Sequence, residues 1–246
     1  MSVDLSDACA LFERARHHLE EFNELIVKRN MPQLWNVRSR QDESTGTWVY
    51  SITIDRDRLL RAKPVMADAA TNAISALDHV AAAMAKSRGH DRVRTLYFPL
   101  AINEEAYRQM LARVEPYIGS EMAALITDVR AKRFEHIHAQ AAKEISNSGK
   151  HWELLPSDGS ILALAFHEPD QPQRIFQVPK DAFSQADKYV FHSGEQLPNV
   201  PISIVVGLSV DGLPEGLPKS PDTILECTLR YVEAVIEAVN TENQKN

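Results

Sequence analysis

The residues best suited to chemistry lie on the second predicted helix of the chain. Four polar side chains fall on one face of this helix at 100° per residue: Asp68, Asn72, Ser75 and His79. Asp78 flanks that face. The arrangement suits a site in which His79 acts as a general base while Asn72 and Ser75 hold a substrate. The alternative is an ordinary solvated face, because amphipathic helices place polar residues there by default.

A second group of polar residues lies in a later segment, S-N-S-G-K-H-W, where another predicted helix ends. Lys150 and His151 belong to its last turn, and one interpretation is a charged cap that the negative end of the helix dipole favours. The other interpretation places these two side chains against Asp78 and His79, across an antiparallel helix pair. Asn147 would then belong to the same polar network.

The sequence contains no common motif for a metal, a phosphate or a serine nucleophile: no H-E-x-x-H, P-loop, G-x-G-x-x-G, G-x-S-x-G or EF-hand pattern. His136 and His138 are two positions apart and do not form a two-ligand helix face, which needs a spacing of four. Cys9 and Cys227 lie near opposite ends, which favours reduced, packed thiols over a disulfide framework. We therefore expect no metal and no other cofactor.

Charge and hydropathy narrow the class of protein further. The 246 residues include 27 basic and 34 acidic side chains, for a formal net charge of −7. This charge disfavours unspecific binding to a polyanion, although it leaves a local basic patch possible. The first residues are acidic where a signal peptide needs a basic start, and no apolar run reaches the length of a membrane helix. We therefore expect a cytoplasmic protein with no membrane contact.

The first part of the chain is predicted to be helical, with one β-hairpin inserted. Apolar residues three and four apart indicate a helix over 5–28, and alternating residues indicate a hairpin of strands 33–40 and 48–54. Further helices follow. The first is opened by Pro64 and ended by Gly89, and the second is capped by Asn103. A third begins after Gly119 and either stands alone or continues into a helix over 130–148. The helix over 130–148 has Phe134 on its inner stripe and Gly149 as its C-cap.

The character of the chain changes after Pro156. Short β-type runs over 161–166, 174–178, 189–192 and 202–210 indicate a small antiparallel sheet, and Pro221 opens a last helix. The fold class is therefore α+β: an N-terminal helical bundle with an inserted hairpin, then a small antiparallel sheet and a C-terminal helix. We expect a helical core over 1–155 and a β-rich part over 156–246, packed together as one unit.

Three short segments, Ala73–His79, Tyr97–Pro99 and Ile145–His151, give the chain a resemblance to a widespread family of uncharacterised bacterial proteins. In that family a helix reading roughly H-N-L-R-S-A-L-D-H is followed by an F-P motif and then by N-x-D-K-H. The helix–hairpin order before these motifs is also similar, so the resemblance covers about residues 5–155. It implies kinship and a bacterial origin rather than an activity.

The same helix is similar to the Arg-x4-His signature of the HEPN superfamily, all-helical domains that include metal-independent ribonucleases of toxin and phage-defence systems. There the histidine and arginine act on the RNA backbone, usually across a dimer. His79 matches the histidine, whereas Ile74 occupies the arginine position and Gly149 replaces the aspartate before the Lys-His pair. The resemblance implies either a non-catalytic member or a ribonuclease in which Lys150 or His151 replaces the arginine.

Three hypotheses about function follow. The first is a binding or scaffold module that binds a second copy of the chain or another protein. In this hypothesis a polar network fixes the angle between two helices, and its members are Asp78, His79, Asn147, Lys150 and His151. The second is the HEPN-like ribonuclease, with RNA as its substrate. The third is a sensor of a small ligand, with Trp35, Trp48 and Trp152 as pocket walls, although each of these aromatic residues is also a natural core residue.

Overall fold

The computed structural model describes residues 3–26, 34–151, 157–166, 174–179, 181–183, 186–197, 199 and 202–245, with backbone alone at 149–151, 157–163, 165–166, 174 and 202–208. Within these residues, helices and strands follow one another in the order expected for the predicted α+β class, which is confirmed. The helices are α1 (Ser6–Ile26), α2 (Arg56–Ser87), α3 (Glu104–Ile118), α4 (Ser120–Lys132), α5 (His136–His151) and α6 (Pro221–Asn243). The strands are β1 (Trp35–Gln41), β2 (Trp48–Ile54), β3 (Ser157–Phe166), β4 (Arg174–Gln177), β5 (Lys188–Gly194) and β6 (Ile202–Val210).

The chain folds into two compact units, each assembled from separate stretches of sequence. The helical unit comprises Met1–Phe22, Lys63–Pro156 and Gly212–Asn246, and the sheet unit comprises Asn23–Ala62 and Ser157–Asp211. The boundary expected near residue 155 lies at one of the points where the chain passes from one unit to the other. As a border between two domains it stays a prediction.

The sheet unit holds two antiparallel sheets, with strand orders β1-β2-β5 and β4-β3-β6. The predicted hairpin is confirmed as β1 and β2, whose pairing runs from Trp35 opposite Ile54 to Gln41 opposite Trp48. The predicted small sheet is β4-β3-β6, whereas the run that became β5 pairs with β2 of the hairpin. The reason is that alternating hydrophobicity indicates a strand and its buried face but not its partner in the sheet.

Aromatic side chains dominate the core of the sheet unit. Trp35 is buried beside Phe183, and Tyr50 is buried beside Phe191. The Tyr50 hydroxyl also accepts a hydrogen bond from the backbone N–H of Leu197, at 2.8 Å. Trp48 is half-buried against the same core, and Trp152 lies outside the described residues. The two described tryptophans therefore have the packing role that is the alternative to a pocket wall.

The helical unit buries alanine-rich and β-branched helix faces. On α2 the predicted apolar face is buried, and its most enclosed members are Met66, Ala73, Leu77, Val80 and Met84. Helix α6 is buried at Ile224, Leu225, Thr228, Tyr231, Val232, Val235 and Val239. Cys9 is half-buried and Cys227 is buried, and both are free thiols, as expected. Such close-packed small residues let helices approach each other tightly.

The start of α2 corrects one prediction. The helix begins at Arg56 and carries Pro64 inside it, rather than being opened by that proline. The side chain of Asp55 accepts a hydrogen bond from the backbone N–H of Arg58 at 3.0 Å, which caps the helix two turns earlier than Pro64. The Asp55 cap and the buried Leu59 together favour the earlier start over the start signal of the proline.

The region between α3 and α5 corrects the predicted ends of the helices there. Asn103 caps α3 as predicted, because its side chain accepts from the backbone N–H of Ala106 at 2.7 Å. Helices α4 and α5 are separate, with Arg133 in an extended conformation between them, and Phe134 is exposed rather than on an inner stripe. Helix α5 also runs through Gly149, which is not its C-cap. A glycine costs a helix interior only about 1 kcal/mol relative to alanine, which is too little to end it.

Candidate functional site

The polar face of α2 is present as a row of side chains with unequal exposure. Asp68 and His79 are exposed, whereas Asn72 and Ser75 are half-buried. The Asn72 Nδ2 atom donates a hydrogen bond to the carbonyl of Asp68, one turn earlier, at 2.8 Å. Part of the hydrogen-bonding capacity of Asn72 is therefore used within its own helix. The substrate-holding role of Asn72 and Ser75 stays a prediction.

Asp78 holds a neighbouring segment of backbone. Its Oδ1 atom accepts a hydrogen bond from the backbone N–H of Phe98 at 2.8 Å, and its side chain is half-buried. Phe98 is buried and packs edge-to-face against Tyr231 of α6, with ring centroids 6.4 Å apart. The Asp78 carboxylate thus fixes the Y-F-P segment over α2. A carboxylate with this structural bond is less available to orient a catalytic imidazole.

His79 is the most accessible of the predicted catalytic residues. Its side chain is 47% exposed, and its Nδ1 atom lies 3.8 Å from the Oδ2 atom of Asp7 on α1. That distance is too long for a hydrogen bond, and an ion pair at this exposure contributes little to stability. The imidazole is consequently open to a ligand, with a carboxylate close to one of its nitrogens.

The polar link between α2 and α5 is made by residues that sequence reasoning missed. The Thr71 and Ser146 hydroxyls lie 3.0 Å apart and share a hydrogen bond. Ser146 is buried, whereas the neighbouring Asn147 is exposed. Helices α2 and α5 are therefore joined by a polar contact, as expected, but the residues that make it are Thr71 and Ser146. A serine beside an asparagine gives no sequence signal as to which of the two side chains faces inward.

Lys150 and His151 lie in the last turn of α5, and their side chains are outside the part of the chain that the structure describes. The predicted approach of Lys150 to His79 is consequently untested. The catalytic roles of His79, Asp78, Lys150 and His151 stay predictions.

Arg130 of α4 makes several contacts that no sequence motif predicted, and we call these contacts the Arg130 hub. The Arg130 side chain is only 12% exposed and donates hydrogen bonds to the carboxylate of Glu104 and the carbonyl of Ala101, at 3.3 and 3.2 Å. Its guanidinium carbon lies 4.3 Å from the ring centroid of Tyr107, a cation–π contact. These contacts tie the loop before α3 to the end of α4. A single arginine on a helix carries no spacing by which sequence reasoning could find such a hub.

Two buried phenols lie beside this hub. Burial raises the pKa of Tyr107, while its hydrogen bond with Thr127 and the Arg130 charge act in the opposite direction. Burial also raises the pKa of Tyr231 strongly, and Tyr107 adds to that shift. Both phenols are consequently neutral at physiological pH and serve packing rather than proton transfer.

Glu135, just before α5, and His138, in its first turn, hold buried polar atoms that have no hydrogen-bond partner in the described part of the chain. Glu135 is buried, and its Oε1 atom lies 3.8 Å from Arg133 while its Oε2 atom has no hydrogen-bond partner among the described residues. The Nδ1 atom of His138 is likewise buried and has no hydrogen-bond partner among the described residues. Burial lowers the pKa of His138, whereas the nearby Glu135 charge raises it and His136 lowers it. The Nδ1 atom of His138 therefore lacks the hydrogen bond that a buried ring nitrogen usually makes.

The sheet unit has an acidic cleft of about 380 Å³ next to the start of α2. Its carboxylates are Asp55, Asp57 and Asp187, and the cleft also contains Arg56. Asp55 caps α2, and Asp187 forms an ion pair with Arg56, which also donates to the carbonyl of Phe183. Two of the three carboxylates thus have structural roles, so this cleft is a weak candidate for a ligand site.

The described residues hold neither a group of metal ligands nor a helix that could span a membrane. No three or more of their His, Cys, Asp and Glu side chains are grouped so as to hold a metal ion. Among the helices of that part of the chain, none combines the length and the apolar character needed to cross a membrane. Comparisons of the chain with protein-family models, with curated proteins and with solved structures found no match.

Proposed function

We propose that this protein is a non-catalytic binding module that associates with a second copy of itself through the helical unit. The observation that carries the proposal is a pair of exposed apolar side chains next to the Arg130 hub. Phe134 is 65% exposed at the α4–α5 junction, and Ile102 is 43% exposed on the loop before α3. Large apolar side chains that are left exposed near one structural element are candidates for an interaction site.

The Arg130 hub brings these two residues to one end of α4. The Arg130 guanidinium is 3.5 Å from the carbonyl of Ile102, and the backbone N–H of Arg133, next to Phe134, bonds to the carbonyl of Arg130. We call this pair of side chains, Ile102 and Phe134, the junction patch.

The charges around the junction patch favour a second copy as the partner. Glu104 and Arg130 pair with each other within the chain. The remaining exposed charges are acidic beside Ile102, at Glu105, and basic before Phe134, at Lys132 and Arg133. A surface with an acidic side and a basic side complements itself across a two-fold axis. Burial of Phe134 against a partner would remove a large apolar side chain from water, which stabilises association by about 1.5–3 kcal/mol per copy.

Sedimentation velocity over a range of protein concentrations tests this proposal. We expect a dimer for the parent chain and a monomer for the double variant Phe134→Ser with Ile102→Ser. The matched control is Leu60→Ser, which removes an equally exposed apolar side chain from the sheet unit and should leave the dimer intact. A parent chain that stays monomeric at every concentration, or a dimer that survives the double substitution, would contradict the proposal.

The ribonuclease is the second candidate, supported by the exposure of His79 and the nearby Asp7 carboxylate. In that function His79 would act on the RNA backbone, with Lys150 or His151 supplying the cation that Ile74 cannot. Purified protein in EDTA would cleave RNA, and His79→Ala would abolish the cleavage. No cleavage by the parent over a broad panel of RNAs would end this candidate. The absence of cleavage would not contradict the proposal of a binding module.

A further inference from the structure

The segment that comprises the last residues of α2 and the loop after it concentrates positive charge in an otherwise acidic protein. Five of its nine residues are cationic or can become so, against one acid, Asp91, and the whole chain has a net charge of −7. The five are exposed: Lys86, Arg88, His90, Arg92 and Arg94. We call residues 86–94 the basic loop.

The end of α2 does not require these charges. Gly89 has a φ of +86°, and two backbone hydrogen bonds close the helix: Gly89 N–H to the carbonyl of Lys86, and His90 N–H to the carbonyl of Ala85. This pair of bonds is a Schellman motif, which already satisfies the last carbonyls of the helix. Arg92 and Arg94 also lie beyond the last turn, where the helix dipole has faded.

The basic loop borders a cleft of about 490 Å³, a size that suits a small organic ligand. Its apolar side is made by Ala82, Ala85, Val93 and Leu96, of which Ala85 and Leu96 are buried. Its charged side is made by Lys86, His90, Asp91 and Arg92. The cleft thus combines an apolar wall with a surplus of cations over the one acid.

A ring contact positions one member of the charged side. His90 is in edge-to-face contact with Tyr117 of α3, with ring centroids 5.5 Å apart. Hydrogen bonds from Ser6 and, more weakly, the charge of Lys86 lower the pKa of Asp4, so Lys86 has one distant acidic neighbour. Arg92 has no ion-pair partner among the described residues. Its guanidinium is therefore available to an anion from solution.

The backbone of Arg92 supplies an independent observation. Its φ is +62°, the left-handed region that favours glycine, and it is the sole non-glycine residue of the described chain found there. A bulky side chain in this conformation is strained, and such strain concentrates where a side chain serves a ligand. An arginine at a position suited to glycine indicates that its charge is needed at the cleft.

We propose that this cleft binds a small organic phosphate, a nucleoside phosphate in particular. The phosphate group meets Lys86, His90 and Arg92, because guanidinium and ammonium groups are the usual protein partners of phosphate oxygens. The planar base packs on the apolar wall of alanine, valine and leucine side chains. A cleft of this size accommodates a mononucleotide, whereas an extended nucleic acid needs a longer groove along the surface.

Calorimetric titration of the full chain, in magnesium-free buffer at low salt, tests the proposal with four probes: ATP, ADP, inorganic phosphate and a single-stranded RNA 12-mer. We expect ATP and ADP to bind, and inorganic phosphate to bind at least about tenfold more weakly because it lacks the apolar part. No heat from ATP or ADP at millimolar concentration would overturn the proposal. Binding of the RNA without the mononucleotides, or equal binding of inorganic phosphate, would also overturn it.

Arg92→Gly separates a ligand site from a structural role. Glycine tolerates φ +62°, so this variant should fold at least as stably as the parent while binding ADP about tenfold more weakly. Lys86→Gln should weaken ADP binding by a similar factor. The matched control, Arg113→Gln, removes an exposed cation of α3 that does not line the cleft, and should bind ADP like the parent. Unchanged binding in both Arg92→Gly and Lys86→Gln would contradict the assignment.

Discussion

The carboxylate of Asp78 accepts a hydrogen bond at 2.8 Å from the backbone N–H of Phe98, twenty positions later in the chain. This bond joins the S-A-L-D-H segment of α2 to the Y-F-P segment that follows the helix. Two of the three segments that suggested a resemblance in the sequence are thus physical partners. Their joint presence in this chain has a structural explanation that needs no catalysis.

Asp78→Ala should destabilise the protein by about 1–3 kcal/mol. The substitution leaves the Phe98 N–H without its acceptor, and an unsatisfied buried donor has a cost of this size. Chemical denaturation gives the free energy of unfolding directly. Asp78→Asn keeps an acceptor oxygen and should recover part of the loss. Asp68→Ala, an exposed carboxylate of the same helix, should change stability by less than about 0.5 kcal/mol. If the denaturation curve of Asp78→Ala coincided with that of the parent, the hydrogen bond between Asp78 and Phe98 would not contribute to stability.

The hydrogen bond between Thr71 and Ser146 predicts an energetic coupling between α2 and α5. Thr71→Val and Ser146→Ala should each cost about 1 kcal/mol, because each leaves the other hydroxyl without its partner. The double variant should cost less than the sum, since it removes both polar groups together. A double-mutant cycle of unfolding free energies measures the difference. Strictly additive losses would show that the two hydroxyls do not interact in solution.

Much of the fold followed from local patterns in the sequence. The alternation over 48–54 and the spacing of Met66, Ala73 and Leu77 indicated a strand and a helix face because each signal lies within one element. Asn103 was recognisable as a cap for the same reason. The pairing of β5 with the hairpin cannot be predicted from the sequence, since a strand pattern indicates which face of the strand is buried but not which strand lies beside it.

The candidate site was less predictable, because side-chain partners come from distant segments. Asp78 and His79 are adjacent in sequence, yet one binds the backbone at Phe98 and the other faces Asp7 of α1. Arg130 carried no motif, although its contacts organise the loop before α3. Helical periodicity gives the direction in which a side chain leaves its helix, but the group that it meets depends on tertiary packing.

His138 predicts a specific dependence of stability on pH. Burial lowers its pKa in the folded protein, against the raising effect of Glu135 and together with the lowering effect of His136. The unfolded chain therefore binds a proton more readily, starting near the ordinary histidine pKa of about 6.5. The stability contributed by neutral His138 is present above that pH and is lost as the pH falls below it.

Unfolding free energies measured from pH 7.5 to 5 check this expectation. The parent should lose more stability on acidification than His138→Gln, which has no imidazole to protonate at this position. His17→Gln, which removes an exposed histidine, should follow the parent's slope. Parallel curves for the parent and His138→Gln would show that the pKa of His138 is the same in the folded and unfolded states.

Gly119, between α3 and α4, should not tolerate a side chain. Its φ of +87° and ψ of +157° lie in a region that is essentially restricted to glycine, and an added Cβ would be 2.7 Å from the guanidinium carbon of Arg88. Gly119→Ala should therefore cost about 1–3 kcal/mol in unfolding free energy. Gly194→Ala, at ordinary φ and with its nearest contact at 3.5 Å, is the matched control and should cost less.

The backbone conformation, rather than the contact with Arg88, should account for most of that loss. The Arg88 guanidinium is the far end of a flexible, exposed side chain and can move away from a methyl group at little cost, whereas the φ of residue 119 is fixed by the helices on either side. Adding Arg88→Ala to Gly119→Ala should therefore restore little stability. A full recovery in that double variant would assign the loss to the side-chain clash, and an unchanged Gly119→Ala protein would show that α3 and α4 can meet at another angle.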